Sequence, residues 1–135
     1  MTEGNQRLIQ TAIDILPSSY APYSNFNVAC IVVTENNEEF IGVNVENASY
    51  GLTICAERSA IVSMIPKCTS KKIKKIIVLS KSKAKTPPCG ACRQFIAEFA
   101  SDNCEVILPH GSSYQNITTH QFKELLPHSF SLNDD

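Results

Sequence analysis

The sequence predicts an α/β protein with three layers, helices covering both faces of a mixed five-stranded sheet. Three observations lead there. Short, almost wholly apolar runs read as strands buried on both sides, and amphipathic or capped stretches read as helices between them. Strand and helix alternate in the middle of the chain, giving the order αββαβαββα. The link between the last two strands, around His110 to Ser112, is too short for a parallel crossover, which needs about a dozen residues. Those two strands are therefore expected to pair antiparallel.

Each element has its own signal. Gln6 to Leu16 carries Leu8, Ile9, Ala12, Ile13 and Leu16 at helical spacing, and Pro17 marks the end. The turn-rich SSYAPYSNF follows as a loop. Val28 to Thr34 (VACIVVT) reads as a buried strand, Glu35 to Glu38 as a turn and Glu39 to Val43 as the hairpin partner. NVENASYGLT has no period and carries Asn, Ser and Gly, so it is a loop. Cys55 to Ile65 is helical, with Thr53 the best candidate N-cap and Pro66 beyond the end. Ile73 to Ser80 is a strand and KSKAKTPP a loop. Pro88 suits the first turn of a helix running through CGACRQFIAEFA. Glu105 to Pro109 and Ser113 to Thr118 are short strands, and Thr119 to Leu126 is a last helix.

A length of 135 residues is expected to form one domain, 1–135, large enough for a real core without disulfide staples. The hydrophobic fraction of 43% and charged fraction of 19% are ordinary for a soluble protein. A formal net charge of -1 gives no electrostatic case for a polyanion, so no nucleic-acid partner is expected. No window approaches the roughly 18 apolar residues of a bilayer span. The start, MTEGNQRLIQ, lacks a basic segment followed by an apolar run. The expected location is the cytoplasm, where thiols stay reduced, so the six cysteines point to metal binding or catalysis for some and to packing for the rest.

Cys89 and Cys92 form a C-x-x-C pair able to hold one ion. A redox reading expects such a motif near a βαβ pattern, and it does follow a strand here. A third thiol, Cys55, stands in an equivalent place. Both Cys55 and the Cys89/Cys92 pair fall at a helix start, where thiolates are stabilised. Three thiolates meeting at one point suit a divalent cation. Three protein ligands leave a fourth position open, as in a catalytic zinc, whereas a structural site would be completed by Cys68 or Cys104. Cys30, Cys68 and Cys104 otherwise read as small buried hydrophobes. Glu57 lies two positions after Cys55. Residues i and i+2 of a helix point about 200° apart, so both reach one metal only if Cys55 is at the very start. A carboxylate beside an activated water is a general acid/base; the plain alternative is a solvated first-turn glutamate.

With C-A-E and P-C-G-A-C-R-Q in place, the sequence resembles the cytidine deaminase family in its short, homotetrameric form. The matching segments are APYSNFNV, GVNVENASYG, CAERSA, PCGACRQ and ELLPHSF, spread from Ala21 to Phe130. The resemblance implies hydrolytic removal of the 4-amino group of cytidine or deoxycytidine, in pyrimidine salvage, with one Zn2+ per subunit. It implies Cys55, Cys89 and Cys92 as zinc ligands activating a water that attacks C4, and Glu57 as the proton shuttle. The backbone of Ala56 would contact the base edge and Phe26 would cover the base. Asn44 and Glu46 would bind sugar hydroxyls from the loop that continues through Val45, Asn47, Ala48, Ser49 and Tyr50. Phe130 would reach into a neighbouring subunit's site. Arg58 and Arg93 would hydrogen-bond cysteine sulfur and so restore Lewis acidity to the metal.

One segment departs from the family. Val28-Ala29-Cys30-Ile31 stands where members commonly read V-G-A-A, so packing beneath the base-covering aromatic differs. Three other functions fit parts of the pattern. A structural zinc module would turn over nothing. A nucleic-acid cytosine deaminase shares the cysteine motifs, but the ENASYG loop and the antiparallel last pair match the free-nucleoside branch. A blasticidin-type deaminase differs at the NVEN loop. The lysines of KKIKK and KSKAK are expected to be solvated.

Overall fold

The computed structural model describes residues 3–132. In chain order the elements are α1 (Glu3–Ile15), β1 (Val28–Thr34), β2 (Glu39–Val43), α2 (Ala56–Met64), β3 (Ile73–Ser80), α3 (Gly90–Ala97), β4 (Ala100–His110), β5 (Asn116–Gln121) and α4 (Phe122–Leu125). Short 3-10 turns occupy Leu16–Ser18, Tyr50–Leu52 and Ser112–Tyr114. The five strands form one sheet in the order β2-β1-β3-β4-β5. β1 pairs antiparallel with both β2 and β3, and β4 with β5, while β3 and β4 run parallel with α3 as their crossover. The mixed sheet and the antiparallel last pair are as the sequence leads one to expect.

Strand periodicity explains the two cores. Every residue of β1 is buried, because successive side chains alternate between faces and both faces are covered. Ala29, Ile31 and Val33 join Ile77, Leu79 and Ile107 beneath α1, which contributes Leu8, Ile9 and Ala12. Val28, Cys30 and Val32 face the other way, with Ile76, Val78, Val106 and Leu108, under α2, α3 and α4. Each fully buried isoleucine contributes about 1.5–3 kcal/mol relative to exposure.

One glycine sets the height of α2. A Cβ on Gly42 of β2 would lie 2.3 Å from the Ala60 backbone nitrogen and 2.5 Å from the Ala56 carbonyl oxygen. The absence of a side chain there, opposite the small residues Ala56 and Ala60, lets α2 rest directly on the sheet.

Several boundaries differ from expectation. α3 ends at Ala97 and β4 begins at Ala100, five residues before the expected Glu105. β5 lies at Asn116–Gln121, later than the expected Ser113 to Thr118. The reason is the connection: Gly111, Ser113 and Tyr114 have φ of 80°, 53° and 56°, left-handed conformations that make a compact turn of residues expected to be strand. The pairing of Thr118 and Thr119 with Leu108 and Ile107 in turn shortens α4, which starts at Phe122. Gln121 and Glu124 close a reciprocal capping box there.

Candidate metal centre and nucleoside pocket

Cys55 is the N-cap of α2 and Cys89 the N-cap of α3. This corrects two expectations. Thr53 does not cap α2: it closes the preceding 3-10 turn, and its hydroxyl accepts from the Asn47 backbone N–H at 3.1 Å. Pro88 is not in the first turn of α3, since the helix begins at Gly90. Both cysteines have extended backbones, and neither makes a side-chain capping bond. Their sulfurs are thereby left to meet that of Cys92, on the first turn of α3. The three Sγ atoms lie within 4.8 Å of one another. Tetrahedral zinc with Zn–S near 2.3 Å needs sulfurs about 3.8 Å apart, so three soft donors at this spacing fit the ion. Among the described residues no fourth Cys, His, Asp or Glu joins this cluster. Cys104 and Cys30 are buried in the core, and Cys68 packs against it.

The electrostatics of the cluster favour the thiolate at one sulfur and the neutral thiol at its neighbour. Cys55 is drawn down to about 5 by its hydrogen bond with Cys92, against burial and with help from the bond and charge of Arg58. The same bond, together with burial and the Glu57 carboxylate, pushes Cys92 up. Arg58 donates from Nη2 to Cys55 Sγ at 3.7 Å and to the Thr53 carbonyl at 3.3 Å. Its buried Nε has no partner. The hydrogen bonds of Arg93 run to carbonyls and not to sulfur: Nε to Pro88 at 2.8 Å and Nη1 to Leu125 at 2.9 Å. It thereby serves a carbonyl at the end of α4 that the helix itself leaves unpaired.

Glu57, in the first turn of α2, is 5% exposed. Because Cys55 stands just ahead of the first helical residue, the opposed directions of i and i+2 do not separate the two. Burial pushes the carboxyl up to about 7, opposed by its own backbone N–H, with the negative Cys55 raising it further and Arg58 lowering it. A carboxyl half-protonated near neutral pH both takes and returns a proton. Cys30, in the segment that departs from the family, lies beneath it; burial first, then the Glu57 carboxylate, holds the Cys30 thiol in its neutral form.

The loop bearing Cys89 is braced from two sides that the sequence did not reveal. Tyr114 Oη donates to the Ser80 carbonyl at 2.7 Å, and Thr86 Oγ1 donates to Ser80 Oγ at 2.8 Å. The Gly111 N–H donates to the Lys83 carbonyl at 2.8 Å. These contacts tie the end of β3 to the turn before β5.

A cavity of about 400 Å³ is lined by Tyr23, Ser24, Glu46, Asn47, Tyr50 and Thr53. It gathers three of the expected sugar-loop residues, Glu46, Asn47 and Tyr50. Val45 bridges to Tyr20 on one side and Ile54 on the other, and Ala48 and Ser49 are exposed. Ala56 is fully buried. Asn44 is buried and committed to the chain nearby: its Oδ1 accepts from the Val28 N–H at 2.9 Å and its Nδ2 donates to the Phe26 carbonyl at 2.7 Å. Glu46 accepts from the Tyr23 and Ser24 N–H groups at 3.0 and 3.2 Å and from the Ser24 hydroxyl. The Ser24 hydroxyl lowers the Glu46 carboxyl most, outweighing desolvation, with the two N–H groups adding to it. Phe26 remains 42% exposed. Phe130 lies apart from these residues, on a groove of about 800 Å³ shared with Phe122 and Leu126.

Comparison with known proteins identifies the family. Residues 2–108 match the family model described as the cytidine and deoxycytidylate deaminase zinc-binding region. The chain is 46% identical over 94 residues to a cytidine deaminase of Mycoplasma pneumoniae, covering 69% of this chain and 70% of that protein. It is 38% identical over 129 residues to a cytidine deaminase of Halalkalibacterium halodurans, covering 96% of each. The solved cytidine deaminase of Burkholderia pseudomallei superposes with a TM-score of 0.83 at 37% identity, covering 96% of this chain and all of that one.

Proposed function

The chain belongs to the cytidine and deoxycytidylate deaminase family, and from that footing we propose that it hydrolyses cytidine and deoxycytidine to uridine and deoxyuridine with release of ammonia. The observation that carries this reading is the convergence of three cysteine sulfurs within 4.8 Å beside a buried glutamate two residues after one of them. Cys55, Cys89 and Cys92 would hold one zinc ion per subunit. When bound, zinc supplies Lewis acidity and makes a water nucleophilic at neutral pH.

The chain's own residues do the rest. Glu57 takes the proton of the attacking water as the C4–O bond forms and places a proton on N3. It then takes the remaining proton from the new C4 hydroxyl and hands it to the exocyclic amine, so that the C4–N bond breaks, C4=O forms and ammonia leaves. A carboxyl held near neutral by burial suits both directions of transfer. Phe26 covers the base, Ala56 offers its backbone to the base edge, and Glu46 accepts from a sugar hydroxyl with Asn44 beside it. The rate arises because these groups fit a tetrahedral C4 better than the flat substrate.

The modest cavity beside Glu46 suits a free nucleoside better than a polynucleotide strand. We assign the enzyme to pyrimidine salvage, as a deaminase-type domain spanning 1–135. We place it in the cytoplasm, where a reducing environment keeps its six free cysteines as thiols. No helix among the described residues is long and apolar enough to cross a membrane. Tyr20, Tyr23, Tyr50, Leu52 and Phe130 leave much apolar area on the single chain, which supports a homotetramer whose sites are completed by neighbouring subunits.

The test is a spectrophotometric deamination assay on cytidine, deoxycytidine and a short cytosine-containing oligonucleotide, with bound zinc quantified in the same sample. Turnover of the nucleosides at one zinc per subunit is expected. Turnover of the oligonucleotide but of neither nucleoside would overturn the substrate assignment.

A further inference from the structure

The hydroxyl of Ser24 stands between two groups assigned to different parts of the substrate. It donates to Glu46 Oε2 and accepts from the Phe26 backbone N–H at 3.0 Å. From the opposite side the Phe26 carbonyl accepts from Asn44 Nδ2 at 2.7 Å. Both backbone polar groups of Phe26 are thus reached from the sugar loop, one directly and one through a single serine oxygen. Asn25, immediately before, has a φ of 56°, a left-handed conformation that bends the chain so that Ser24 and Phe26 meet. Ser24 also lines the cavity next to Glu46.

We propose that Ser24 is a positioning residue that fixes the base-covering Phe26 relative to the sugar-binding carboxylate of Glu46, so that the two halves of a nucleoside are recognised as one unit. The proposal rests on the nucleoside-deaminase reading above.

The hydrogen-bond inventory supports it. A carboxylate offers about four lone-pair sites, and the Tyr23 N–H, the Ser24 N–H and the Ser24 hydroxyl take three in the free protein. That leaves one for a sugar hydroxyl, in an orientation already set by the loop that carries Phe26. Such preorganisation lowers the ordering penalty of binding. Removing the hydroxyl leaves the Phe26 N–H without its acceptor and releases Glu46 Oε2, while the Tyr23 and Ser24 N–H groups still hold Oε1. Binding is lost first, because neither Glu57 nor the cysteine cluster is touched.

The experiment compares wild type, Ser24→Ala and Ser24→Thr in two measurements. Amide hydrogen exchange at Phe26 in the free protein tests the link itself. It should quicken about tenfold or more in Ser24→Ala, the range for a lost bond of this kind, and return toward wild type in Ser24→Thr. Steady-state kinetics with cytidine tests the consequence: KM should rise about 10- to 100-fold in Ser24→Ala while kcat stays within about threefold, with Ser24→Thr restoring KM. Unchanged exchange at Phe26 overturns the assignment, and so does a wild-type KM in Ser24→Ala or a KM rise that threonine does not repair. A wild-type protein that deaminates no nucleoside would instead defeat the functional reading, and the exchange measurement would still decide whether Ser24 fastens Phe26.

Discussion

Nη2 of Arg58 lies 3.7 Å from Sγ of Cys55, and Nε of the same guanidinium is buried with no partner. Three thiolates around a divalent ion leave one net negative charge, which weakens the ion as a Lewis acid. A cation donating to one of the sulfurs withdraws part of that charge. Arg58→Ala should fold normally and lose about 10- to 100-fold in zinc affinity or turnover, read by chelator competition and by the deamination assay. If both are unchanged, Arg58 has no part in the chemistry.

Glu57→Gln keeps the size of the side chain and removes its ability to carry a proton. Turnover should fall by about 10²- to 10⁴-fold, the usual contribution of a general acid/base. Zinc content and the unfolding midpoint should match wild type. Ammonia release at full speed would show that the proton travels by another route.

Gly42→Ala tests the seating of α2. The new methyl would meet the backbone of Ala60 and Ala56, which cannot rotate out of the way as a side-chain tip can. The helix must lift, at about 1–3 kcal/mol by analogy with overpacked cores, and Cys55 and Glu57 lift with it. Urea unfolding should give a lower midpoint, accompanied by reduced zinc retention. An unaltered midpoint would mean that α2 yields to the added methyl at little cost.

Alkaline pH should weaken the fold through Cys104. Burial pushes this thiol up to about 12, with the nearby Glu105 adding to the effect, while an unfolded cysteine titrates near 8.5. Above that value the unfolded chain holds fewer protons than the native one, so stability falls as pH rises. At pH 10 the loss is about 2 kcal/mol for one such thiol. Urea melts at pH 8 and pH 10 should therefore show a smaller drop for Cys104→Ala than for wild type. Equal drops would place the thiol in contact with water.

Much of this arrangement was legible in residue order. The apolar run from Val28 to Thr34 announces a strand covered on both faces, and the placing of Cys55, Cys89 and Cys92 at helix starts foretells that their sulfurs meet. What stayed hidden are bonds between residues distant in sequence. Ser24 and Glu46 are 22 residues apart, and Arg93 and Leu125 are 32 apart; no local pattern pairs a loop serine with one particular acid. Asn44 shows the same limit, since its residue type allows it to bind sugar while its two hydrogen bonds to Phe26 and Val28 depend on how β1 is approached. The late start of β5 was obscured because Ser113 and Tyr114 adopt conformations that their side chains do not favour.

The positions where α2 and α3 begin would ordinarily hold Ser, Thr, Asp or Asn, whose oxygen satisfies a free N–H and is worth about 1 kcal/mol per helix. Here both hold cysteines that make no such bond. Chelation would therefore leave two helices with loose ends at once, and limited proteolysis should then find its first cuts near Thr53 and Pro88. If Cys55, Cys89 and Cys92 hold zinc as proposed, one ion would link catalytic competence to resistance against proteolysis.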